Sequence, residues 1–124
     1  MKIKVDTING HPIDWAVAHA EGHEAKIVRQ DHEYNVVSIK KVLGHDYELI
    51  WRPSTSWRQV GSLIEREHLS LHCDGSLWYS RHPDVFAECW GATPMLAACR
   101  AFLLYKLGPE IEVPDEIGGF NASR

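Results

Sequence analysis

Apolar residues recur at two periods along this chain, and the change from one to the other lays out the elements. Ile13, Val17 and Ala20 are spaced by four and three, as on one face of a helix. Pro12 suits the first helical position, Asp14 then falls in the first turn near the positive end of the dipole, and Gly22 offers a left-handed stop. Past Gly22 the pattern becomes β-rich. Residues 35–42 (NVVSIKKV) and 47–51 (YELIW) read as strands joined by a turn at Gly44, His45 and Asp46. Residues 25–29 make a weaker strand, with Asp31, His32 and Glu33 as its turn, and Pro53 ends the YELIW strand because it has no ladder donor. Ser56 is a natural N-cap for a second helix, which carries Trp57, Val60 and Ile64 on one face and is interrupted by Gly61.

The period then returns to two. Leu69 and Leu71 alternate with Ser70 and His72 as a half-buried strand, Asp74-Gly75 signals a hairpin, and residues 76–80 return as its partner. The last helix starts at Thr93 and Pro94 and stops at Gly108-Pro109. Leu96, Cys99, Leu103 and Leu107 form its apolar stripe, and Ala97, Ala98 and Ala101 allow close packing. Residues 110–113 suggest a short edge strand, and residues 118–124 a disordered tail. Strands between helices, without repeated βαβ units, predict an α+β domain over residues 1–117: a small, mainly antiparallel sheet covered by about three helices.

Composition narrows the function classes. At 124 residues the chain makes one domain, large enough for a core without staples. A net charge of −4 leaves no basic footprint for nucleic acid, and no apolar run is long enough to span a membrane. Three cysteines without a CxxC pair read as reduced thiols of a cytosolic protein.

Searches for chemistry mostly fail. There is no GxSxG, Walker loop, GxGxxG or HExxH, so no catalytic residue is assigned and no cofactor is expected. His68 and His72 are too far apart on a strand to share a metal, and Gly22 separates His19 from His23, so no metal site is expected either. Cys99 lies on an apolar stripe, and neither Cys73 nor Cys89 is tied to a histidine by a motif. Glu65 and Glu67 point different ways on a helix and read as a solvated face with local ion pairs around Arg66. Two candidates remain. Ser54, Thr55, Ser56 and Trp57 place hydroxyls at a helix start, flanked by Arg52 and Arg58, where free N–H groups attract an anion; the plainer reading is a capped helix with Trp57 in the core. Arg100 lies beside the apolar stripe of the last helix. It reads as half of a buried ion pair with Glu65 or Asp14, or as a ligand contact. Five tryptophans supply either core or interaction surface: Trp15, Trp51 and Trp57 suit a core, and Trp90 reads as part of a loop.

Three segments carry a family resemblance. Residues 51–71, WRPSTSWRQVGSLIEREHLSL, resemble the pattern YxPSTDWxQGGxIIEREGISL of the NinX-like family of small tailed-phage accessory proteins. Residues 93–117 resemble that family's GxTPLxAAMRxYVxxKLGDEVEVPDEL, and residues 13–22 its LDWAVAKAEG. The chain departs from the pattern at Ser56, where relatives carry Asp, and at Val60 and Ser62, where they show Gly and Pro. More distantly, the helix begun by residues 54–57 and the last helix together resemble the phage ABA-sandwich domain. The resemblance implies a phage or prophage accessory protein and no particular reaction. The expectation is a non-enzymatic protein of the bacterial cytoplasm that binds a host or phage protein through an aromatic and acidic surface. The alternatives are a counter-defence sponge holding a small nucleotide-like anion at residues 54–57, or an enzyme without a recognised motif.

Overall fold

The computed structural model describes residues 1–119. Its elements run β1 (Lys2–Lys4), α1 (Gly10–Ala20), β2 (Glu24–Gln30), β3 (Glu33–Val42), β4 (His45–Ile50), α2 (Trp57–Glu67), β5 (His72–Asp74), β6 (Leu77–Ser80), β7 (Cys89–Gly91), α3 (Pro94–Leu107), β8 (Glu110–Glu112) and α4 (Asp115–Gly118). The α+β class is the one the patterns predict. The expected small sheet, however, is three antiparallel sheets among the described residues, ordered β1-β8, β2-β3-β4 and β5-β6-β7.

Three helices and the β1-β8 ribbon enclose the core. Ile13 and Val17 of α1, Val60 and Leu63 of α2, Phe102 and Leu103 of α3, and the cross-strand pair Ile3 and Ile111 form one buried cluster. The centre of the molecule is α3, which packs against α1, α2, β6, β7 and β8. Thr93 Oγ1 accepts from Leu96 N–H at 3.2 Å, and Gly108 stops the helix at φ 91°, as the sequence suggests. The buried face is different from the one predicted. Residues 97–103 are buried without a break, including Arg100, while Leu96 is half-buried and Leu107 exposed. A narrow stripe fits a helix that packs on one side; α3 is surrounded, so burial follows position along the helix instead. Its alanines admit a close neighbour: a Cβ on Gly91 of β7 would come within 2.8 Å of the Ala97 nitrogen.

Several boundaries shift for identifiable reasons. Asn9 is the N-cap of α1, so Pro12 is the third helical residue, and Asp14 lies beyond the first turn and is buried. Gly22 (φ 76°) ends α1 in a Schellman arrangement, with His23 N–H donating to the Ala18 carbonyl at 2.9 Å and Gly22 N–H to that of His19 at 3.0 Å. The β3–β4 turn is Leu43-Gly44, both at positive φ, one residue earlier than predicted; Asp31-His32 makes the β2–β3 turn in the same way. Gly61 does not interrupt α2, and Trp57 is 53% exposed rather than core. The Leu69 and Leu71 alternation buries Leu69 and half-buries Leu71, but the ladder begins only at His72. β1, β7 and α4 have no counterpart in the sequence reading; Trp90 belongs to β7 rather than to a loop. Of the predicted tail, Gly118 closes α4, and residues 120–124 lie outside the described residues.

A polar cluster fixes α2 to the β6–β7 connection. His82 is buried and lies flat on the Tyr105 ring at 3.5 Å between centroids. Its Nδ1 accepts from Asp84 N–H at 3.0 Å, so the ring proton sits on Nε2 and faces Glu67 Oε1 at 3.1 Å. Arg66 then joins Glu67 to Glu21 at the end of α1.

Candidate functional site

Asp14 is the carboxylate that burial makes unusual. It projects from α1, on the face it shares with buried Val17 and Ala18, toward the turn that precedes α2. Pro53 and Ser54 of that turn are buried, and Ser54 N–H donates to Asp14 Oδ1 at 3.0 Å. Loss of water pushes the carboxyl up to about 7, against the hydrogen bonds from Ser54 and the charge of Arg52, which pull it down. Near neutral pH this group is therefore divided between acid and carboxylate.

A cleft of about 450 Å³ opens over it. Asp14 and Ser54 form its base, Ile50 and Trp51 a wall where β4 ends, and Arg52 and Thr55 lie at its edge. Arg52 is exposed and has no ion-pair partner among the described residues; the Asp14 charge is felt only at longer range. Trp51 lies between this cleft and a wider one of about 750 Å³, and its buried Nε1 has no hydrogen-bond partner among the described residues. An unpaired buried donor costs about 1–3 kcal/mol.

The residues singled out from the sequence fall in three places. Arg52, Ser54 and Thr55 line the cleft. Ser56 does what its plainer reading says: its Oγ accepts from Gln59 N–H at 3.4 Å and caps α2. Trp57 and Arg58 are exposed at the start of α2 and do not line the cleft. Arg100 stands apart, and its expected carboxylate partners are wrong. It pairs with neither Glu65 nor Asp14. Its Nε donates to the Ile8 carbonyl and its Nη1 to the Trp90 carbonyl, each at 2.9 Å, and its guanidinium lies 5.1 Å from the centre of the Trp90 ring. This is a structural tie between the β1–α1 connection and β7, made from backbone acceptors that no sequence pattern identifies. In the sequence Asp14 reads as a helix-dipole partner or as the mate of Arg100, and it is neither. The clue lay in its spacing, because a carboxylate three and four positions before apolar Val17 and Ala18 shares their helix face.

Other chemistry is poorly supplied. Burial raises Cys89 to about 11 and holds Cys99 well above its ordinary value, so both are protonated thiols at neutral pH. Among the described residues no three of His, Cys, Asp and Glu are grouped to hold a metal ion. No helix there is long and apolar enough to cross a membrane.

The family model for bacteriophage P22 NinX matches residues 4–106, most of the chain. The chain belongs to the NinX family. No curated protein matches it. The NinX match takes in both sides of the cleft, α1 with Asp14 and the turn with Arg52 and Ser54, and the whole of α3 short of its final residue.

Proposed function

We propose that this NinX-family protein is a phage accessory protein that works by binding, not catalysis, in the cytoplasm of the bacterial host, and that the Asp14 cleft holds a small nucleotide-like ligand. The observation that carries this is the unequal charge of the cleft: an unpaired guanidinium at its edge and a half-protonated carboxyl at its base. A simple anion sitting on Asp14 is disfavoured while that group is ionised. A molecule with hydrogen-bond donors at one end and a phosphate at the other matches both, with the donors toward Asp14 and the phosphate toward Arg52. This moves the anion from residues 54–57, whose helix start is capped by Ser56, to Arg52.

The test is thermal shift against purine and pyrimidine mono- and triphosphates, followed by calorimetry on any hit. A true ligand raises the melting temperature by mass action. Arg52→Ala should weaken binding about tenfold or more, as loss of a charge-assisted contact does, while Arg58→Ala should leave it unchanged. Equal loss in both variants would mean a diffuse attraction and no site in the cleft.

A second reading, in which the protein grips a host or phage protein, has an observation of its own. Five of its large exposed hydrophobic residues, Val42, Leu43, Tyr47, Leu49 and Ile50, lie together on the β3–β4 hairpin.

A further inference from the structure

We infer that the outer edge of β4 receives an extended segment of another protein as an added strand, one in which basic and apolar residues alternate. This rests on the second reading above and specifies its surface. β4 is an end strand of the β2-β3-β4 sheet, and all six of its residues are exposed. The direction of its backbone groups follows from one bond: Trp51 N–H donates to the Val36 carbonyl at 2.7 Å. In an antiparallel ladder alternate residues bond inward, so Tyr47 and Leu49 bond to β3 while Asp46, Glu48 and Ile50 present their N–H and C=O groups outward.

One outward position is already occupied in a telling manner. The Gln59 side chain donates from Nε2 to the Ile50 carbonyl at 2.8 Å and accepts from Arg52 N–H at 2.6 Å. A single amide thus sits on the edge as a peptide unit of a neighbouring strand would. Beyond it, toward His45, the outward groups of Glu48 and Asp46 have no partner among the described residues. Edge strands are commonly blunted by proline, lysine or a bulge. β4 (HDYELI) has no proline or lysine, and its register with β3 is unbroken from Val42↔His45 to Val37↔Ile50.

The side chains define the occupant. Tyr47 (58% exposed) and Leu49 (55%) project on one face; Asp46, Glu48 and Ile50 (50%) project on the other. An added strand would place apolar residues beside the first pair and meet two carboxylates on the opposite face, which favours lysine or arginine there. The sheet's own lysines lie behind, with Lys41 beside Asp46 on β3 and Lys26 of β2 paired to Glu48, so a basic strand would continue the alternation of charge. A second copy of this chain is the poorer occupant. Antiparallel self-pairing brings Asp46 and Glu48 of both copies onto one face, like charge against like.

The probe is a soluble peptide of about eight residues alternating lysine and valine, the length of an ordinary strand, titrated into the full chain by calorimetry. Glu48→Pro removes an outward N–H at a position where β3 makes no demand on it, and Glu48→Gln removes only the charge. The expected result is binding by the parent, a small loss in Glu48→Gln, and at least about tenfold further loss in Glu48→Pro, because a ladder bond is gone. Should Glu48→Pro melt far below the parent, Asp46→Pro carries the same expectation at the next outward residue. Equal affinity of the proline and glutamine variants, or no binding by the parent, overturns the inference. So does sedimentation of the parent alone as a dimer that Glu48→Pro dissociates, since the occupant would then be a second copy. A host or phage protein captured equally by parent and Glu48→Pro would also overturn strand addition, while leaving the partner reading intact.

Discussion

A single buried carboxyl governs how this molecule responds to acid. Asp14 has an ordinary value of 3.8 and is raised to about 7 in the fold. Between those values the folded chain holds a proton that the unfolded chain has released, so stability falls as pH rises. The contribution of the bound proton is complete below about pH 4 and is lost as pH passes 7, with a total on the order of 4 kcal/mol at most. Asp14→Asn keeps an acceptor for Ser54 N–H without the charge. Relative to the parent, the urea midpoint of this variant should rise steadily from pH 4 to 7 and hold level above it. A difference that does not vary with pH would mean that Asp14 is better hydrated than its burial indicates. His68 offers a second measurement on one residue. It ends α2 at φ 56°, a conformation that costs an L-residue about 1–2 kcal/mol, at a position where the NinX-like pattern shows Gly. His68→Gly should therefore raise stability by about 1 kcal/mol, read from denaturant midpoints.

Elements were legible in proportion to how far local rules decide them. The ends of α3 could be read from Thr93, Pro94 and Gly108 because caps and stops are local chemistry, and Gly22 and Gly75 marked their turns for the same reason. The strands β1 and β7 were hidden. Each is three residues long and is defined only by its ladder partner, β8 at the other end of the described residues for β1 and β6 across the 81–88 connection for β7. The site was half-legible: the PST turn with Arg52 announced itself, but its acid came from a helix about forty residues earlier, through a tertiary bond that spacing cannot reveal. The same distinction sets up a comparison within α3. Leu103 is fully buried and Leu107 is not, although both fit the stripe. Leu103→Ala should cost about 2–5 kcal/mol in a urea melt, as core truncations do. Leu107→Ala should cost under about half a kcal/mol. Similar losses at both positions would restore the simple amphipathic picture and contradict the surrounded helix.

At the scale of the whole molecule, the three sheets divide the work. The β5-β6-β7 sheet and the β1-β8 ribbon close the core around α3, while β2-β3-β4 extends a hairpin whose far strand buries almost nothing of its own. The Asp14 cleft lies where that sheet meets the helices, so a ligand there and a strand on β4 would share Ile50 and Trp51 as a common border. The ribbon also has a consequence for how the molecule is made. Residues 2–4 are synthesised well before their ladder partner among the described residues, residues 110–112, which follows more than a hundred residues later. At ordinary bacterial speeds that is a wait of roughly 5–20 s, during which Ile3 and Val5 have no place in a core. The hairpins and α1 can form as they appear, but the enclosure by β1 and β8 must wait until residues 110–112 are made, and a chain released before then would keep an apolar first strand open to chaperones and proteases alike.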